Sequence, residues 1–315
     1  MAVCGSRERA RRMVREGVYR KVFHDAYVLS DVPDDVHTRA AALRKVLPED
    51  VALSHWGALW ALGLDVLPRD KQGVDILDVT VTRGRHLLAR PGVRPHCALV
   101  TDEELCDIEG LLVVSAARAF VDVARSVGVV EGVACGDAAL RAGATTMELM
   151  EEAVERAGAL RWVTRAREAV PHLEPRSESL MESRLRVGFV LEGGPRMHAQ
   201  LDLYDDVGAH RGRGDLFLDG VLVEYDGREE RLKREKFTHD RRRGNSVADL
   251  EVEVRRFSAD DYYKTSAAVR LDTLRRALAI ARGRTRPRLR FGSDTLLRPK
   301  LRPLPTRADQ LARAA

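Results

Sequence analysis

The dipeptide Asp219-Gly220 restricts the fold of this chain more than any other pair of residues. It sits between two apolar runs, in Arg213-Gly214-Asp215-Leu216-Phe217-Leu218-Asp219-Gly220-Val221-Leu222-Val223-Glu224-Tyr225-Asp226-Gly227. Asp-Gly suits a two-residue type I′ turn, in which both central residues take positive φ. A turn of that length sets the register: Leu218 faces Val221, Phe217 faces Leu222, Asp215 faces Glu224 and Arg213 faces Asp226. Side chains alternate along a strand, so Glu224 and Asp226 share a face. Three carboxylates are thereby crowded together, with paired Cβ atoms roughly 5 Å apart, and like charges so placed destabilise a hairpin.

A divalent cation would offset that repulsion. Mg²⁺ or Mn²⁺ takes hard oxygen ligands, commonly one or two carboxylates, with water and substrate phosphate completing the shell. Such an ion activates water and stabilises charge on a scissile phosphate. Asp215 and Glu224 are the expected metal ligands, with Asp226 as a further catalytic group. The alternative is a solvated hairpin face whose acids pair with Arg213 and other basic groups.

An Asp followed by Glu-x-Asp-Gly, then a charged helix and a strand ending in Arg255-Arg256-Phe257, resembles the very-short-patch-repair-like endonuclease domain of the PD-(D/E)xK superfamily. It is also similar to a nuclease-like C-terminal domain of actinobacterial proteins. The likeness covers about residues 177–256. Within it, Ser177-Glu178-Ser179-Leu180-Met181-Glu182-Ser183-Arg184-Leu185-Arg186 resembles the family's opening helix, which implies a place for Glu182 beside the active site. Asp226 stands where the superfamily has its lysine. Lys233 or Lys236 could reach back from the next helix in its place, and His239 could act as an acid or base near neutral pH.

The 315 residues suffice for two domains, and their net charge of +5 permits a nucleic-acid partner without demonstrating one. Cys4, Cys97, Cys106 and Cys135 form no Cys-x-x-Cys pair and no zinc-finger spacing with histidine, so reduced, mostly core-filling thiols are expected. Arg7 to Arg15 is too charged for a signal peptide, and no run of about 18 apolar residues exists. The expectation is a cytoplasmic chain with no membrane partner.

From the N-terminus, residues 6–16 read as a short basic helix and residues 18–29 as a hairpin broken at His24-Asp25. Together they suggest a winged-helix-like head over residues 1–50, with Arg20 and Lys21 on the wing in reach of phosphate. A plain surface hairpin is the alternative. Asp34 or Asp35 caps a helix running to Val46, and Ser54 caps the next, which holds Trp56 and Trp60 on one face. Strands follow near residues 74–82, 93–99 and 113–114. Four helices then cover about residues 116–125, 130–142, 146–157 and 159–169.

Gly17-Val18-Tyr19-Arg20, the helix 54–63 and Ser115-Ala116-Ala117-Arg118-Ala119-Phe120-Val121-Asp122 resemble the AbiE-type (type IV) antitoxins. That likeness covers roughly residues 6–170. It implies a winged-helix DNA-binding head, a mixed α/β middle region over residues 51–172 and, by resemblance only, a toxin partner.

Pro171 to Pro175 marks a boundary. Ser177 is expected to cap a helix over residues 178–192. A strand over residues 197–204 follows, with Met197, Ala199, Leu201 and Leu203 on one face. Residues 228–250 are densely charged and read as an exposed helix, whose Lys233, Arg241, Arg242 and Arg243 are candidate phosphate contacts. A strand ends at Phe257, and Val269, Leu271, Leu274 and Leu278 lie at helical spacing in the last amphipathic helix. From Arg282 onward the Arg- and Pro-rich composition reads as a disordered tail, 282–315.

The whole is expected to be α/β, with a restriction-endonuclease-like domain over residues 173–281 whose mixed sheet is flanked by helices. Two functions fit: a Mg²⁺- or Mn²⁺-dependent DNA endonuclease with a DNA-binding N-terminal region, or a non-catalytic, antitoxin-type DNA-binding regulator that keeps the nuclease-like fold. RNA is an alternative substrate to DNA, and oligomeric state is left open.

Overall fold

The computed structural model describes residues 7–49, 51–66, 76–81, 92–205, 207–227, 250–283 and 301–314. The chain is mixed α/β and divides into two units. One comprises Met1–Cys135, Ala142–Val170 and Pro299–Ala315, the other Gly136–Arg141 and Pro171–Arg298. The division at Pro171 coincides with the proline-bounded segment that the sequence marks. The head and the middle region, separate in the sequence reading, share the first unit.

The first unit begins with α1 (Arg7–Arg15), the hairpin strands β1 (Tyr19–Phe23) and β2 (Ala26–Leu29), and α2 (Val36–Leu43). The hairpin turns at Asp25, whose φ is +61°. Asp35 caps α2 by accepting the Thr38 N–H at 2.7 Å. Among the described residues only α1 precedes the hairpin. Next come β3 (Val51–Leu53), α3 (His55–Ala61), β4 (Leu77–Val81), β5 (Val93–Cys97), β6 (Leu105–Ile108) and β7 (Leu111–Val114). These strands form one sheet in the order β5-β4-β3-β7-β6, with parallel pairs at β4–β5 and β3–β7 and antiparallel pairs at β3–β4 and β6–β7. α4 (Ala116–Ser126), α5 (Val129–Ala142), α6 (Met147–Arg156) and α7 (Val163–Ala169) complete the unit, apart from the part of α5 that belongs to the second unit. The core is built from Leu53, Leu59, Leu77, Val79, Val113 and Phe120, all fully buried. Burying each such side chain contributes about 1.5–3 kcal/mol.

A buried cation sits inside this apolar shell. Arg118 on α4 is 1% exposed, and its Nε donates to both carboxylate oxygens of Asp122 at 3.1 Å. Its Nη1 donates to Glu104 at 2.7 Å and to the Leu99 carbonyl at 3.3 Å. Glu104 also accepts the Thr101 N–H, and Arg125 reaches Asp122 at 3.1 Å. The motif around Arg118 and Asp122 is therefore a structural clasp between α4 and the turn before β6.

The C-terminal segment corrects the expected disordered tail in part. Residues 307–314 form a helix capped by Thr306, whose Oγ accepts the Asp309 N–H at 3.2 Å while Asp309 accepts the Thr306 N–H at 2.9 Å. Arg307 pairs with Asp102, and the Gln310 amide donates to the Asp107 carbonyl. The Thr-x-x-Asp capping pattern, masked by Arg and Pro composition, outweighs that composition here.

The second unit contains α8 (Leu180–Leu191), β8 (His198–Tyr204), β9 (His210–Leu218), β10 (Val221–Asp226), β11 (Glu253–Ser258), α9 (Ala259–Lys264) and α10 (Ala267–Arg282). Its sheet runs β11-β10-β9-β8, antiparallel except for the parallel pair β10–β11. The hairpin at Asp219-Gly220 takes the expected register, Leu218 with Val221 and Phe217 with Leu222. Its two central residues have φ of +46° and +83°, as a type I′ turn requires. One face of the sheet buries Met197, Ala199, Leu216 and Val223 against Leu185 and Phe189 of α8 and Leu274 and Leu278 of α10. The other face buries Phe217, Leu222, Leu250 and Val252.

Four expectations about this unit change. Ser179, not Ser177, caps α8: its Oγ accepts the Glu182 N–H at 3.1 Å. Two serines two residues apart are equivalent in sequence, but α8 begins at Leu180, directly after Ser179. Leu201 and Leu203 lie on the opposite face from Met197 and Ala199. The alternation breaks at Gln200, whose φ of +52° turns the strand over. Val269 is exposed, unlike the three leucines that share its helical spacing. Arg213, read as facing Asp226, pairs with Asp202 at 2.8 Å and with Glu178 at 3.5 Å.

A second buried charge anchors residues 136–141. Asp137 accepts from Arg186 at 2.8 Å, from the Ser183 hydroxyl at 2.7 Å and from the Glu174 N–H at 2.6 Å. Burial pushes its carboxyl up to about 6, against the opposing pull of Arg186 and those hydrogen bonds.

Replacing Arg118 by Leu would strand Glu104 and Asp122 in the core. Breaking a buried pair from one side costs about 3–5 kcal/mol. The three tryptophans, Trp56, Trp60 and Trp162, all belong to the first unit, so urea unfolding followed by tryptophan fluorescence should show that loss directly.

Candidate functional site

The acidic hairpin and the first turn of α8 meet in the second unit. Ser179 starts α8, which places Glu182 in its first turn, 6% exposed. Glu182 Oε2 accepts the Glu178 N–H at 2.9 Å and an N–H of the Gln200 amide at 2.8 Å. The same Gln200 nitrogen lies 3.3 Å from Asp215 Oδ1. One amide thus holds two carboxylates from elements far apart in sequence. Gln200 reaches this position because β8 turns over there. A left-handed φ costs a non-glycine residue about 1–3 kcal/mol and persists only where the surroundings enforce it.

The ladder opens at the same point. Backbone pairing between β9 and β10 runs from Leu218–Val221 to Leu216–Val223. Beyond it, Asp215 Oδ2 accepts the Tyr225 N–H at 2.8 Å, so a side chain takes the place of a backbone acceptor. The neighbouring Gly214 leaves no room for a side chain, since a Cβ there would fall 2.0 Å from Leu222 Cδ1. Glu224 and Asp226 follow on β10, two residues apart and hence on one face. The parallel partner β11 sets Arg256 opposite Glu224, and the Arg256 Nε donates to Glu224 Oε2 at 3.0 Å. The cation that offsets part of the hairpin's acidity is therefore a guanidinium.

Burial pushes the Glu182 carboxyl up to about 7, and the charge of Asp215 adds to the shift. Hydrogen bonds from Gln200, Glu178 and Ser179 offset it only in part. A proton is consequently shared into this cluster near neutral pH.

Of the candidate residues read from sequence, Glu182 and Asp215 are brought together, and Glu224 and Asp226 lie on the adjoining strand. Lys233, Lys236, His239, Arg241, Arg242 and Arg243 fall outside the described residues. In the first unit, Lys21 lines a cleft of about 980 Å³ together with Arg9, Arg11, Arg12, Arg15 and His24. Arg20 is also engaged within the chain. Its guanidinium donates to the Val32 carbonyl at 3.2 Å and pairs with Asp34 at 3.1 Å, tying the hairpin to the start of α2.

Gln200 and Arg256 escaped the sequence reading. Gln200 looks like an ordinary polar position in an alternating strand, and only its φ reveals otherwise. Arg256 depends on the β10–β11 register, which crosses a long connection. A third group was equally hidden: His55, Asp78 and His96, whose possible ligand atoms all lie within 4.8 Å of one another and could hold a metal ion. They come from α3, β4 and β5, and their spacing matches no motif. His55 has φ of +51°, and its Nδ1 lies 3.0 Å from Ser54 Oγ. Burial lowers its imidazole to about 4. Burial alone would raise the Asp78 carboxyl, but the hydrogen bond from His96 and the nearby positive charges bring it below its usual value.

The raised Glu182 pKa has a definite consequence for metal-free protein. Folded protein holds this proton more tightly than unfolded protein between the ordinary value of 4.5 and about 7. The group's stabilising contribution is therefore complete below 4.5 and is lost as pH rises through 7. In EDTA, thermal unfolding at stepped pH should show this decline, and Glu182→Gln should flatten it. Comparison with family models, with curated proteins and with solved structures finds no match to this chain.

Proposed function

We propose that the second unit hydrolyses phosphodiester bonds in DNA with the help of Mg²⁺ or Mn²⁺, and that the first unit supplies a DNA-binding surface. The observation that carries the reading is the convergence of Glu182 and Asp215 on the Gln200 amide where the β9–β10 ladder opens. The carboxylate oxygens fit a hard divalent ion, which would take the place of the Gln200 N–H between Glu182 and Asp215. Asp215 and Glu224 would hold it, Asp226 would add a ligand or position water, and Glu182 would orient that water or hold a second ion. When bound, the ion supplies charge for the scissile phosphate and lowers the pKa of the attacking water. Glu182, protonated near neutral pH, is placed to exchange its proton as a cation enters. The basic cleft of α1 and the β1–β2 hairpin offers Arg11, Arg12, Arg15 and Lys21 to phosphate, a contact that positions DNA without reading its sequence.

A second reading has its own support. Arg256 already neutralises Glu224, and the Gln200 amide already satisfies Asp215 and Glu182. Such internal pairing suits a non-catalytic DNA-binding regulator of the antitoxin type, in which the acidic cluster maintains the fold.

Plasmid nicking at low salt with Mg²⁺, Mn²⁺ or EDTA separates the two readings. The enzyme predicts metal-dependent nicking that falls to the EDTA background in both Asp215→Asn and Glu224→Gln, with unchanged circular dichroism. Absent nicking, with DNA retardation equal in wild type and variants, would establish the regulator. In either case retardation should weaken steeply with salt, because phosphate contacts release counterions.

A further inference from the structure

We propose that His55, Asp78 and His96 form a site for a divalent transition-metal ion of the zinc class, with a fourth position open on the His96 side. The site lies wholly in the first unit and is independent of the phosphodiesterase reading.

Three elements of one sheet layer bring the donors together. Parallel pairing of β4 and β5 sets Asp78 beside Arg94 and Thr80 beside His96. α3 packs tightly on β4: a Cβ on Gly57 would come within 3.3 Å of the Asp78 carbonyl, and the Ser54 N–H donates to that same oxygen at 2.9 Å. This packing lays the His55 ring on the His96 ring, with centroids 3.9 Å apart and planes inclined by 25°. His96 Nε2 lies 2.8 Å from Asp78 Oδ1. His55 and Asp78 are buried, whereas the His96 side chain is 28% exposed and leaves an approach from solvent.

Two imidazole nitrogens and one carboxylate oxygen are a donor set that suits zinc, whereas Mg²⁺ and Ca²⁺ favour oxygen alone. Three protein ligands with an open fourth position is the pattern of catalytic rather than structural zinc sites. The Ser54 hydroxyl lies 3.0 Å from His55 Nδ1, the kind of outer support that metal-bound histidines use. On the other side, the proton between His96 and Asp78 would move to His96 Nδ1, and the ion would take its place. Zinc–nitrogen bonds of about 2.0 Å imply donor separations of roughly 3.3 Å in a tetrahedron. The present separations, from 2.8 Å for His96–Asp78 to at most 4.8 Å, bracket that value; because the two imidazoles are stacked, binding requires one ring to turn so that both nitrogen lone pairs aim at the ion. Thr80 supplies an independent sign. Its fully buried hydroxyl has no hydrogen-bond partner and lies on the same strand face as Asp78, in register with His96. A buried hydroxyl calls for a partner. Arg94, 3.5 Å from Asp78 and itself largely exposed, is the competing cation that an ion would displace.

The test uses the full-length protein, stripped with chelator and then titrated with Zn²⁺ against a chromophoric competitor, and with Co²⁺ followed by its visible absorption. The expected result is one Zn²⁺ per chain, a rise in Tm on loading, and an intense, tetrahedral-type Co²⁺ spectrum. His96→Gln keeps a donor to Asp78 and so preserves the fold, but it removes a ligand. Its zinc affinity should fall by more than the 10–100-fold that loss of an outer-sphere partner costs. Asp78→Asn should do the same, while a double variant Asp215→Asn/Glu224→Gln should bind Zn²⁺ at this site like wild type. Zinc stoichiometry below one with no Tm shift would overturn the proposal. So would wild-type affinity in the folded His96→Gln and Asp78→Asn proteins, or loss of the Co²⁺ spectrum only in the Asp215→Asn/Glu224→Gln protein.

Discussion

The two-residue turn at Asp219-Gly220 sets the geometry on which the second unit depends. Because both residues adopt left-handed backbone, the strands leave the turn in one register. That register sends Leu216 and Val223 to the helices and Phe217 and Leu222 to the opposite face. A slip by one residue would exchange the two faces and bury the acids. The same register brings Asp215 to the point where the ladder opens, so that its carboxylate can take the Tyr225 N–H with one oxygen and face the Gln200 amide with the other. Apolar packing on both faces therefore holds the carboxylates in place.

Each unit also contains charge that its own core would reject if it were unpaired. Arg118 is satisfied by Glu104 and Asp122, and Asp137 by Arg186, Ser183 and a backbone N–H. These ion pairs serve the fold. The cluster of Glu182, Gln200 and Asp215 differs, because two acids share one amide and burial leaves Glu182 protonated up to about neutral pH. The group of His55, Asp78 and His96 differs again, with mixed nitrogen and oxygen donors and one ring facing solvent. Buried acids that share one donor, or that sit beside imidazoles open to solvent, are candidates for chemistry, whereas acids paired with a buried arginine serve the fold.

Much of the local structure was legible because it rests on short-range rules. The Asp-Gly turn, a cap at Asp34 or Asp35, the spacing of Leu271, Leu274 and Leu278, and the break at Pro171 each depend on neighbours within a few residues. Readings that needed distant partners fared differently. The partners of Arg20, Asp34 and the Val32 carbonyl, lie 12 or more residues away. Met197 to Leu203 alternated as a one-faced strand, yet a single left-handed residue sends its halves to different cores. Gln200 and Arg256 gave no local sign of their roles.

The sequence by itself determined that this is a mixed α/β chain, where its acidic hairpin turns, and which three acids that hairpin and its neighbouring strand carry. Those are consequences of backbone sterics and side-chain alternation, which act over a few bonds. Only the tertiary structure decided that Glu182 meets Asp215 across one amide, that Arg256 covers Glu224, and that two histidines and an aspartate from α3, β4 and β5 converge. Those meetings depend on strand order and helix packing over separations of roughly 15 to 40 residues, where chain-closure entropy and core packing, rather than local preference, select the partners.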